Sequence, residues 1–359
     1  MGIAMKILVI APGYKPGGPA NSLYFLRYID GSKLLFYAND ILSKDEDNIR
    51  ILRFPGINHY VVSRVVEHIV NKFRPDYIIS ISPELMIRLK ERELERSVVI
   101  PQGFLEPVLF KFEPLAAIRT SLIYPEISFI SRGMTYAAIS MYMYRRINEI
   151  FKPKNVEPIY NPIREMFFRL GDERVQGGLV DCERCKLRLL YVGVLKRLKG
   201  VDKLIVFFPS VLREFRDAEL HIVGDGPLRG YLTYLVHKLG LEGKVFMHGY
   251  VTDFNLLKMY SNTTLLVTAS YWESFGLPVG EAAASAIPSV VREVYALREH
   301  VEWGYAVGFK EDSGESFVRA IGKALDNYRK LALRGYEISR KLFYPSVVAE
   351  RVLKLFVKL

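Results

Sequence analysis

Two glutamates, Glu273 and Glu281, stand eight positions apart around a turn that could bind an anion. The segment leads from an apolar strand at Leu265–Val267, through a turn that contains Gly276 and Pro278, into an alanine-rich helix. Proline is tolerated in the first helical turn because its missing N–H would have no partner there. The N–H groups at such a helix start point outward and bind anions, above all phosphate. A carboxylate that follows soon after could therefore reach a sugar hydroxyl beside a bound phosphate.

This arrangement resembles the E-x7-E signature of retaining, nucleotide-sugar-dependent glycosyltransferases with two facing Rossmann-like domains, the GT-B fold, and most closely family 4. The surrounding sequence, SFGLP followed by EAAA and a proline, also fits that family. The resemblance implies that Glu281 accepts hydrogen bonds from the ribose diol of a nucleoside diphosphate sugar. It also implies that Glu273 holds hydroxyls of the transferred sugar and stabilises positive charge at its anomeric carbon. The N–H groups around Phe275 and Gly276 would stabilise the departing diphosphate.

A second segment, LLYVGVLKRLKGVD, resembles the family motif V-G-R-L…K-G, whose arginine and lysine hold the donor diphosphate. The lysine is Lys199, which the resemblance makes a catalytic residue beside Glu273. The arginine position holds Val194, a departure from the family pattern. Arg197 or Lys196 could supply the missing charge, since an ionic hydrogen bond of this type contributes roughly 1.5–3 kcal/mol. The alternatives are a lower affinity for the donor, or that these cations are only solvated loop residues.

Further donor-binding residues are implied by the resemblance. Gly17 and Gly18 match paired glycines after the first strand, whose backbone can approach a diphosphate closely. Gly249 and Tyr250 stand where relatives seat the nucleobase, mostly through backbone groups. Gln102 occupies the place of a histidine that touches the donor sugar in many relatives. Because glutamine cannot exchange a proton, the family's favoured route fits best, in which the leaving phosphate oxygen takes the acceptor proton.

A Rossmann dinucleotide site is the obvious competitor for the segment LHIVGDGPLRG. Its G-x-G-x-x-G fingerprint would need a glycine where Arg229 stands, whereas the third glycine comes one residue later at Gly230. A structural role in a turn is therefore the favoured interpretation of Gly224 and Gly226.

No metal site is predicted. Asp45 and Asp47 have the D-x-D spacing that binds a divalent cation in another glycosyltransferase fold, but they lie in a polar run typical of a solvated loop. Cys182 and Cys185 form a single C-x-x-C, whereas a zinc site would need a second pair or histidines nearby. Two thiols in a linker are the simpler interpretation.

The composition is that of a globular protein of about two domains, since 359 residues exceed the roughly 150 residues typical of one. The net charge of +11 is spread without a dense basic tract, which disfavours nucleic acid and suits anionic ligands. No apolar run reaches the roughly 18 residues of a membrane span, and the short N-terminal run is interpreted as a strand. We therefore expect a cytoplasmic protein. The aromatic and basic stretch 104–151 would also suit an acceptor at the inner face of a membrane, through peripheral contact.

Strand-like and helix-like segments alternate in both halves of the chain, which predicts an α/β fold with two parallel sheets covered on both faces. The predicted domains are an acceptor-side Rossmann-like domain at 1–165, a linker at 166–188 and a nucleotide-sugar-binding domain at 189–340. A C-terminal helix within 341–359 is expected to pack back on the first domain, as the resemblance implies.

The predicted activity is transfer of a hexose from a nucleoside diphosphate sugar to an acceptor hydroxyl, on a glycan, glycolipid or lipid-linked sugar, with the anomeric configuration retained. Neither a cofactor nor a metal is expected. Two alternatives stay open: a binding-only member, which the departures at Val194 and Gln102 would explain, and a GT-B sugar-nucleotide epimerase.

Overall fold

The structure, a computed structural model, describes residues 5–11, 23–38, 49–54, 59–103, 107–179 and 186–358. The chain divides into two compact units. The first consists of Met1–Pro162 together with Pro345–Leu359, and the second of Ile163–Tyr344.

The first unit is built on a parallel sheet with the strand order β3-β2-β1-β4-β5-β6-β7. The central strand β1 is apolar after Lys6, and its residues Ile7–Ala11 are almost wholly buried. A strand in the middle of a parallel sheet is covered on both faces, which explains a continuous apolar run in place of an alternating one. The strands are β1 Lys6–Ala11, β2 Ser32–Ala38, β3 Ile49–Phe54, β4 Tyr77–Ser80, β5 Ser97–Val99, β6 Thr135–Ala138 and β7 Asn155–Pro158.

Helices connect these strands. The first described helix buries Val62 and Val66, four positions apart, and therefore presents one apolar face. The helices of this part are α1 His59–Phe73, α2 Glu91–Glu95, α3 Pro107–Phe112, α4 Pro114–Ser131 and α5 Met141–Ile150.

The second unit has a parallel sheet with the order β10-β9-β8-β11-β12-β13. Strands β8 and β11 are neighbours in the sheet but not in the chain, so the direction of winding reverses between them. Ligands of doubly wound sheets bind at the carboxyl ends of the strands next to such a reversal. The strands are β8 Arg188–Val192, β9 Glu219–Val223, β10 Val245–Gly249, β11 Leu265–Thr268, β12 Ser289–Arg292 and β13 Ala306–Phe309.

The second unit begins with a helix in part of the stretch 166–188 that was predicted to be a linker. This helix buries Phe167, Phe168 and Leu170, while charged residues elsewhere on it hid the apolar face from the sequence analysis. The helices of the unit are α6 Glu165–Gln176, α7 Val201–Glu214, α8 Arg229–Lys238, α9 Asp253–Ser261, α10 Leu277–Ala284, α11 Leu297–Glu302, α12 Gly314–Asp326 and α13 Tyr328–Leu342.

The last helix, α14 Pro345–Val357, returns to the first unit. Its Phe356 stacks on Tyr77 of β4, with ring centroids 4.3 Å apart, and Lys358 pairs with Glu157 at 2.9 Å. The predictions of an α/β fold with two parallel sheets and of a returning C-terminal helix are confirmed. None of the described helices combines the length and the apolar character that a membrane crossing requires.

Candidate functional site

Glycines shape the carboxyl ends of β8, β9 and β10. Gly224 has φ +131°, and a Cβ there would come within 1.9 Å of the Gly193 carbonyl oxygen. The Gly224 N–H donates to the Gly249 carbonyl at 2.8 Å. Three adjacent strand ends therefore approach one another through bare backbone, which supports the structural role predicted for Gly224. Of the predicted base-binding pair, Gly249 is buried with φ +68°, and Tyr250 is 67% exposed.

The loop after β8 is locked against the loop after β11. It forms a 3₁₀ turn at Arg197–Lys199 that ends on Gly200, whose φ is +59°. A Cβ on Gly200 would lie 2.1 Å from the Ala269 carbonyl oxygen, so only glycine allows this approach. The Tyr271 N–H also donates to the Leu198 carbonyl at 2.8 Å. The two loops consequently hold their side chains in fixed relation.

This contact brings together the two residues predicted to be catalytic. Lys199 Nζ donates to Glu273 Oε1 at 2.7 Å, and the two side chains are only 25% and 18% exposed. An ammonium has three N–H donors, so one bond to a carboxylate leaves two donors for a phosphate. Val194, at the position of the family arginine, is 49% exposed, and Arg197 is exposed as well. The predicted contribution of Arg197 to donor binding stays a prediction.

The turn before α10 has the conformation that the sequence predicts. Gly276 is the N-cap residue with φ +91°, and Pro278 lies in the first turn of the helix. A Cβ on Gly276 would come within 2.8 Å of Leu297 Cδ2, so the turn is also sterically closed to larger residues. Pro278 has no N–H, and the N–H groups of Val279 and Gly280 donate to the Gly276 carbonyl at 2.9 and 3.2 Å. The Leu277 N–H is therefore the donor of the first turn that could bind an anion.

A buried histidine tethers the same turn. His300 Nε2 lies 2.6 Å from the carbonyl oxygen of Phe275, and Nδ1 is hydrogen-bonded to the Tyr305 hydroxyl. A carbonyl can only accept, so Nε2 carries the proton, and Nδ1 accepts from the tyrosine. Burial lowers the pKa of His300 to about 4, which keeps the ring neutral at physiological pH. The backbone at Phe275 is therefore held by a rigid, uncharged donor.

Glu281 lies inside the second unit with defined partners. Its side chain is about 6% exposed, and the Tyr260 hydroxyl donates to Oε2 at 2.8 Å. The guanidinium of Arg164 lies 3.9 Å from Oε1. Burial raises the pKa of Glu281 to about 7, although Arg164 and the Tyr260 hydrogen bond act in the opposite direction. Asp253 adds to the rise. This carboxyl group can therefore change its charge near neutral pH.

Close packing of α6 on α10 places Arg164 beside Glu281. A Cβ on Gly171 would come within 2.1 Å of the Ala284 carbonyl, so the two helices touch through their backbones. Ahead of α6, Ile163 packs against Gly280, where a Cβ would lie 2.9 Å from Ile163 Cδ1. Arg164 is the next residue in the chain, so the contact of Ile163 with Gly280 also fixes the position of Arg164.

Sequence reasoning missed Arg164, Tyr260 and His300. Arg164 directly precedes α6, where a cation is disfavoured by the helix dipole, but this signal could not be used because the helix itself was not predicted. Tyr260 and His300 lie in ordinary helical patterns, and the residues that they contact are 21 and 25 positions away. No local pattern identifies such pairs.

Gln102 lies in the first unit, shortly after β5. Its amide donates to the Ile100 carbonyl at 3.1 Å, and its oxygen accepts from the buried Asn161 at 3.3 Å. Protein groups thus orient both ends of the amide, and the predicted contact with the donor sugar stays a prediction.

Several predicted residues lie outside the described part of the chain, so their roles also stay predictions. These are Gly17, Gly18, Asp45, Asp47, Cys182 and Cys185. Within the described ranges, no group of three or more His, Cys, Asp or Glu side chains is arranged to hold a metal ion.

Comparison with protein families identifies the part of the chain that carries this site. Residues 185–341, which lie within the second unit, match the family described as glycosyl transferases group 1. The matched stretch contains Lys199, Glu273 and Glu281.

Curated relatives match less than half of the chain. An uncharacterized glycosyltransferase of Methanocaldococcus jannaschii is 34% identical over 154 residues, which are 41% of this chain and 38% of that protein. Mannosylfructose-phosphate synthase of Agrobacterium fabrum is 32% identical over 180 residues, covering 46% of this chain and 39% of the synthase. Each match spans less than half of the relative's own length.

Solved structures match the chain over nearly its whole length. Sucrose-phosphate synthase from Thermosynechococcus elongatus has a TM-score of 0.79 at 18% identity, with 99% of this chain and 98% of that chain covered. HepE from Anabaena, solved in complex with UDP, has a TM-score of 0.73 at 17% identity, with 99% and 100% covered. The second unit thus contains a stretch similar to glycosyl transferases group 1, and the chain has the GT-B fold of these solved structures.

Proposed function

We propose that this protein is a retaining glycosyltransferase, which moves a hexose from a nucleoside diphosphate sugar to a hydroxyl of a glycan, glycolipid or lipid-linked sugar. The observation that carries the proposal is the Lys199–Glu273 hydrogen bond, made within the stretch that matches the family. Glu281 follows eight positions later, in the helix whose start could bind a phosphate. The structures of HepE hold UDP and UDP-glucose, which favours a UDP-sugar as the first donor to test.

Each site residue has a role in this proposal. Lys199 and the N–H groups around Phe275 and Gly276 stabilise the departing diphosphate, where negative charge grows in the transition state. Glu281 accepts hydrogen bonds from the ribose diol. Glu273 orients hydroxyls of the transferred sugar and stabilises positive charge at its anomeric carbon. Gly17, Gly18 and Arg197 would add backbone and charge contacts to the diphosphate.

The reaction balances without a protein base. The bond between the anomeric carbon and the diphosphate oxygen breaks, and a bond to the acceptor oxygen forms on the same face of the sugar. The acceptor proton passes to the leaving phosphate oxygen, so the products are the glycoside and a nucleoside diphosphate. Gln102 cannot exchange a proton, and this route does not require it to do so. We propose that no metal takes part.

A two-stage experiment tests the proposal. Thermal-shift measurements with UDP-, GDP- and ADP-sugars should identify one donor that raises the melting temperature, because a ligand that binds only the folded state stabilises it. That donor is then incubated with candidate acceptors, and the product is examined by ¹H NMR. The coupling of its anomeric proton should match that of the donor. An inverted coupling would contradict the retaining mechanism.

The same experiment separates the two alternatives. A binding-only member, which Val194 and Gln102 would explain, would be stabilised by the donor but would form no product with any acceptor. An epimerase would convert the donor sugar in the absence of an acceptor. Product formation that requires an acceptor would dismiss both.

We further propose that the acceptor is presented at an anionic membrane surface. On α4, Ile118, Leu122 and Phe129 are 51%, 76% and 73% exposed. Their spacing of four and seven residues places them on one side of the helix, as expected of a segment lying on a lipid surface. The protein should float with anionic liposomes at low salt, and Leu122→Ser with Phe129→Ser should weaken this. Absence of co-migration would exclude the contact.

A further inference from the structure

Arg164 is a largely buried cation in the second unit. Its side chain is 14% exposed, and its Nη1 atom bonds Asp253 Oδ1 at 2.7 Å. Nη2 lies 3.9 Å from Glu281 Oε1, and the guanidinium covers the ring of Phe167 at 5.2 Å. Its buried Nε has no hydrogen-bond partner within the described residues. The guanidinium therefore contacts the exposed carboxylate of Asp253 and also faces the buried carboxylate of Glu281.

This position is costly for an arginine. A cation at a helix start opposes the helix dipole, and burial of a guanidinium needs compensation by negative charge. A surface ion pair with Asp253 alone would contribute little and would not require burial, since Asp253 is 70% exposed. The compensating partner inside the unit is Glu281.

The two oxygens of the Glu281 carboxylate have different surroundings. Oε2 accepts from Tyr260 at 2.8 Å, whereas Arg164 faces Oε1 from 3.9 Å, too far for a hydrogen bond. Oε1 can thus still accept hydrogen bonds, and the positive charge of Arg164 stabilises its negative charge. A neutral carboxyl would instead carry a proton and would lose part of this capacity.

We propose that Arg164 is a positioning residue for donor recognition, whose positive charge favours the carboxylate form of Glu281 and leaves its Oε1 free to accept hydrogen bonds from the ribose diol. The inference rests on the proposed function, because it takes Glu281 as the ribose-binding group. It adds the residue on which the charge of that group depends.

The groups that face Glu281 define the expected pH dependence. Arg164 comes from the start of α6, and Tyr260 and Asp253 come from α9. Arg164 and Tyr260 favour the carboxylate, and Asp253 opposes it. On the other side, α13 packs against α10 through Gly335, which has no ionisable side chain. Donor binding should therefore weaken as pH falls through about 7, where Glu281 gains a proton, and loss of Arg164 should move this weakening to higher pH.

The first measurement follows the charge of Glu281 without a ligand. The full-length protein is labelled with ¹³C at glutamate carboxyls, and the Glu281 signal is identified by its loss in Glu281→Gln. Arg164→Met should raise the titration midpoint by about one pH unit or more, and Arg164→Lys should raise it less. The matched control is Arg174→Met, because Arg174 also lies on α6 but bonds Tyr328 and Ser261 instead. An unchanged midpoint in Arg164→Met would overturn the proposal.

The second measurement tests the link to the ribose by calorimetry with UDP and 2′,3′-dideoxy-UDP. Arg164→Met should weaken UDP binding about tenfold, comparable to the loss of a charged hydrogen bond, and leave dideoxy-UDP binding nearly unchanged. Equal weakening of both nucleotides would overturn the proposal. If Arg164→Met does not fold, Arg164→Lys provides the same comparison with a smaller effect. If the wild type binds none of UDP, GDP and ADP, the proposed function fails, whereas the titration midpoints still decide whether Arg164 controls the charge of Glu281.

Discussion

Two buried residues of the site, Glu281 and His300, have pKa values displaced in opposite directions. Burial is the main cause in both cases, because it disfavours whichever form is charged. Glu281 resists losing its proton, so folding becomes less favourable as pH rises from about 4.5 to about 7. His300 resists gaining a proton, so folding becomes less favourable as pH falls from about 6.5 to about 4. The two trends offset each other over most of the same range.

Glu281→Gln should separate these trends. The wild type should lose stability relative to the variant as pH rises from about 4.5 to 7, by up to about 3 kcal/mol, since the pKa rises by about two and a half units on folding. As pH falls, the stability of the variant should decrease more steeply than that of the wild type. The reason is that the acid destabilisation caused by His300 remains, whereas Glu281 no longer offsets it. Urea unfolding between pH 4.5 and 8 measures both. A difference between the two proteins that does not vary with pH would contradict a buried, titrating Glu281.

Lys199 should matter to the chemical step. Lys199→Met removes the cation that we propose stabilises the leaving diphosphate, and we expect kcat to fall about 100- to 1000-fold with the identified donor and acceptor. Lys258→Met, an exposed lysine on α9, serves as the control and should keep its rate within a few-fold. Single-turnover rates give the comparison. If Lys199→Met kept the wild-type rate, the lysine would have only a structural part in its pair with Glu273.

Among the elements of the second unit, α10 carries the site, and its neighbours hold it in place. α6 approaches it through Gly171, and α13 approaches it through Gly335, where a Cβ would lie 3.3 Å from Ala283. α11 contributes His300, which fixes the turn that precedes the helix. Small residues at these contacts allow helix backbones to come close, and this closeness lets side chains from different helices meet at Glu281.

Gly171→Ala should disturb the α6–α10 contact. The added methyl group would meet the Ala284 carbonyl, and overpacking of this kind typically costs about 1–3 kcal/mol. Gly322→Ala on α12 is the matched control, since nothing lies within 4 Å of its Cβ. The control should gain about 0.5–1 kcal/mol, because alanine is a better helix former than glycine. Thermal or urea unfolding would show a lower free energy of unfolding for Gly171→Ala and a higher one for Gly322→Ala. Equal changes in the two variants would argue against close packing at Gly171.

At the scale of the whole molecule, the first unit contains α14, a helix that follows the second unit in the sequence. Phe356 is 4% exposed and stacks on Tyr77, although the entire second unit separates the two residues in sequence. The core of the first unit therefore includes a side chain from α14. Both tryptophans, Trp272 and Trp303, belong to the second unit, which offers a way to observe the units separately.

Phe356→Ala should destabilise the first unit by about 3 kcal/mol, the cost typical of removing a buried aromatic ring. The neighbouring Val357→Ala is the control, because Val357 is 89% exposed and should change little. Far-UV circular dichroism reports on both units, whereas tryptophan fluorescence reports on the second. The dichroism transition of Phe356→Ala should move to lower urea concentration. A variant with wild-type unfolding would show that α14 contributes nothing to the first unit.

The sequence by itself determined the features that depend on local chemistry. Continuous apolar runs such as Ile7–Ile10 predict buried parallel strands, because both faces of such strands are covered. The turn at Gly276 and Pro278 was predictable, since φ +91° favours glycine and proline suits a first helical turn. The resemblance to the family motif was sufficient to predict that Lys199, Glu273 and Glu281 belong to one site, and Lys199 and Glu273 are indeed in contact.

The charge and the orientation of those residues were decided only by the tertiary structure. Lys199 meets Glu273 because Gly200 lets two loops touch, and a contact across 74 positions has no local pattern. Arg164 reaches Glu281 because a glycine contact brings α6 against α10, and Tyr260 reaches the same carboxylate from α9. Apolar periodicity shows which face of a helix is buried, but not which helix covers it. Burial and charge depend on that neighbour, so the pKa of Glu281 follows from packing.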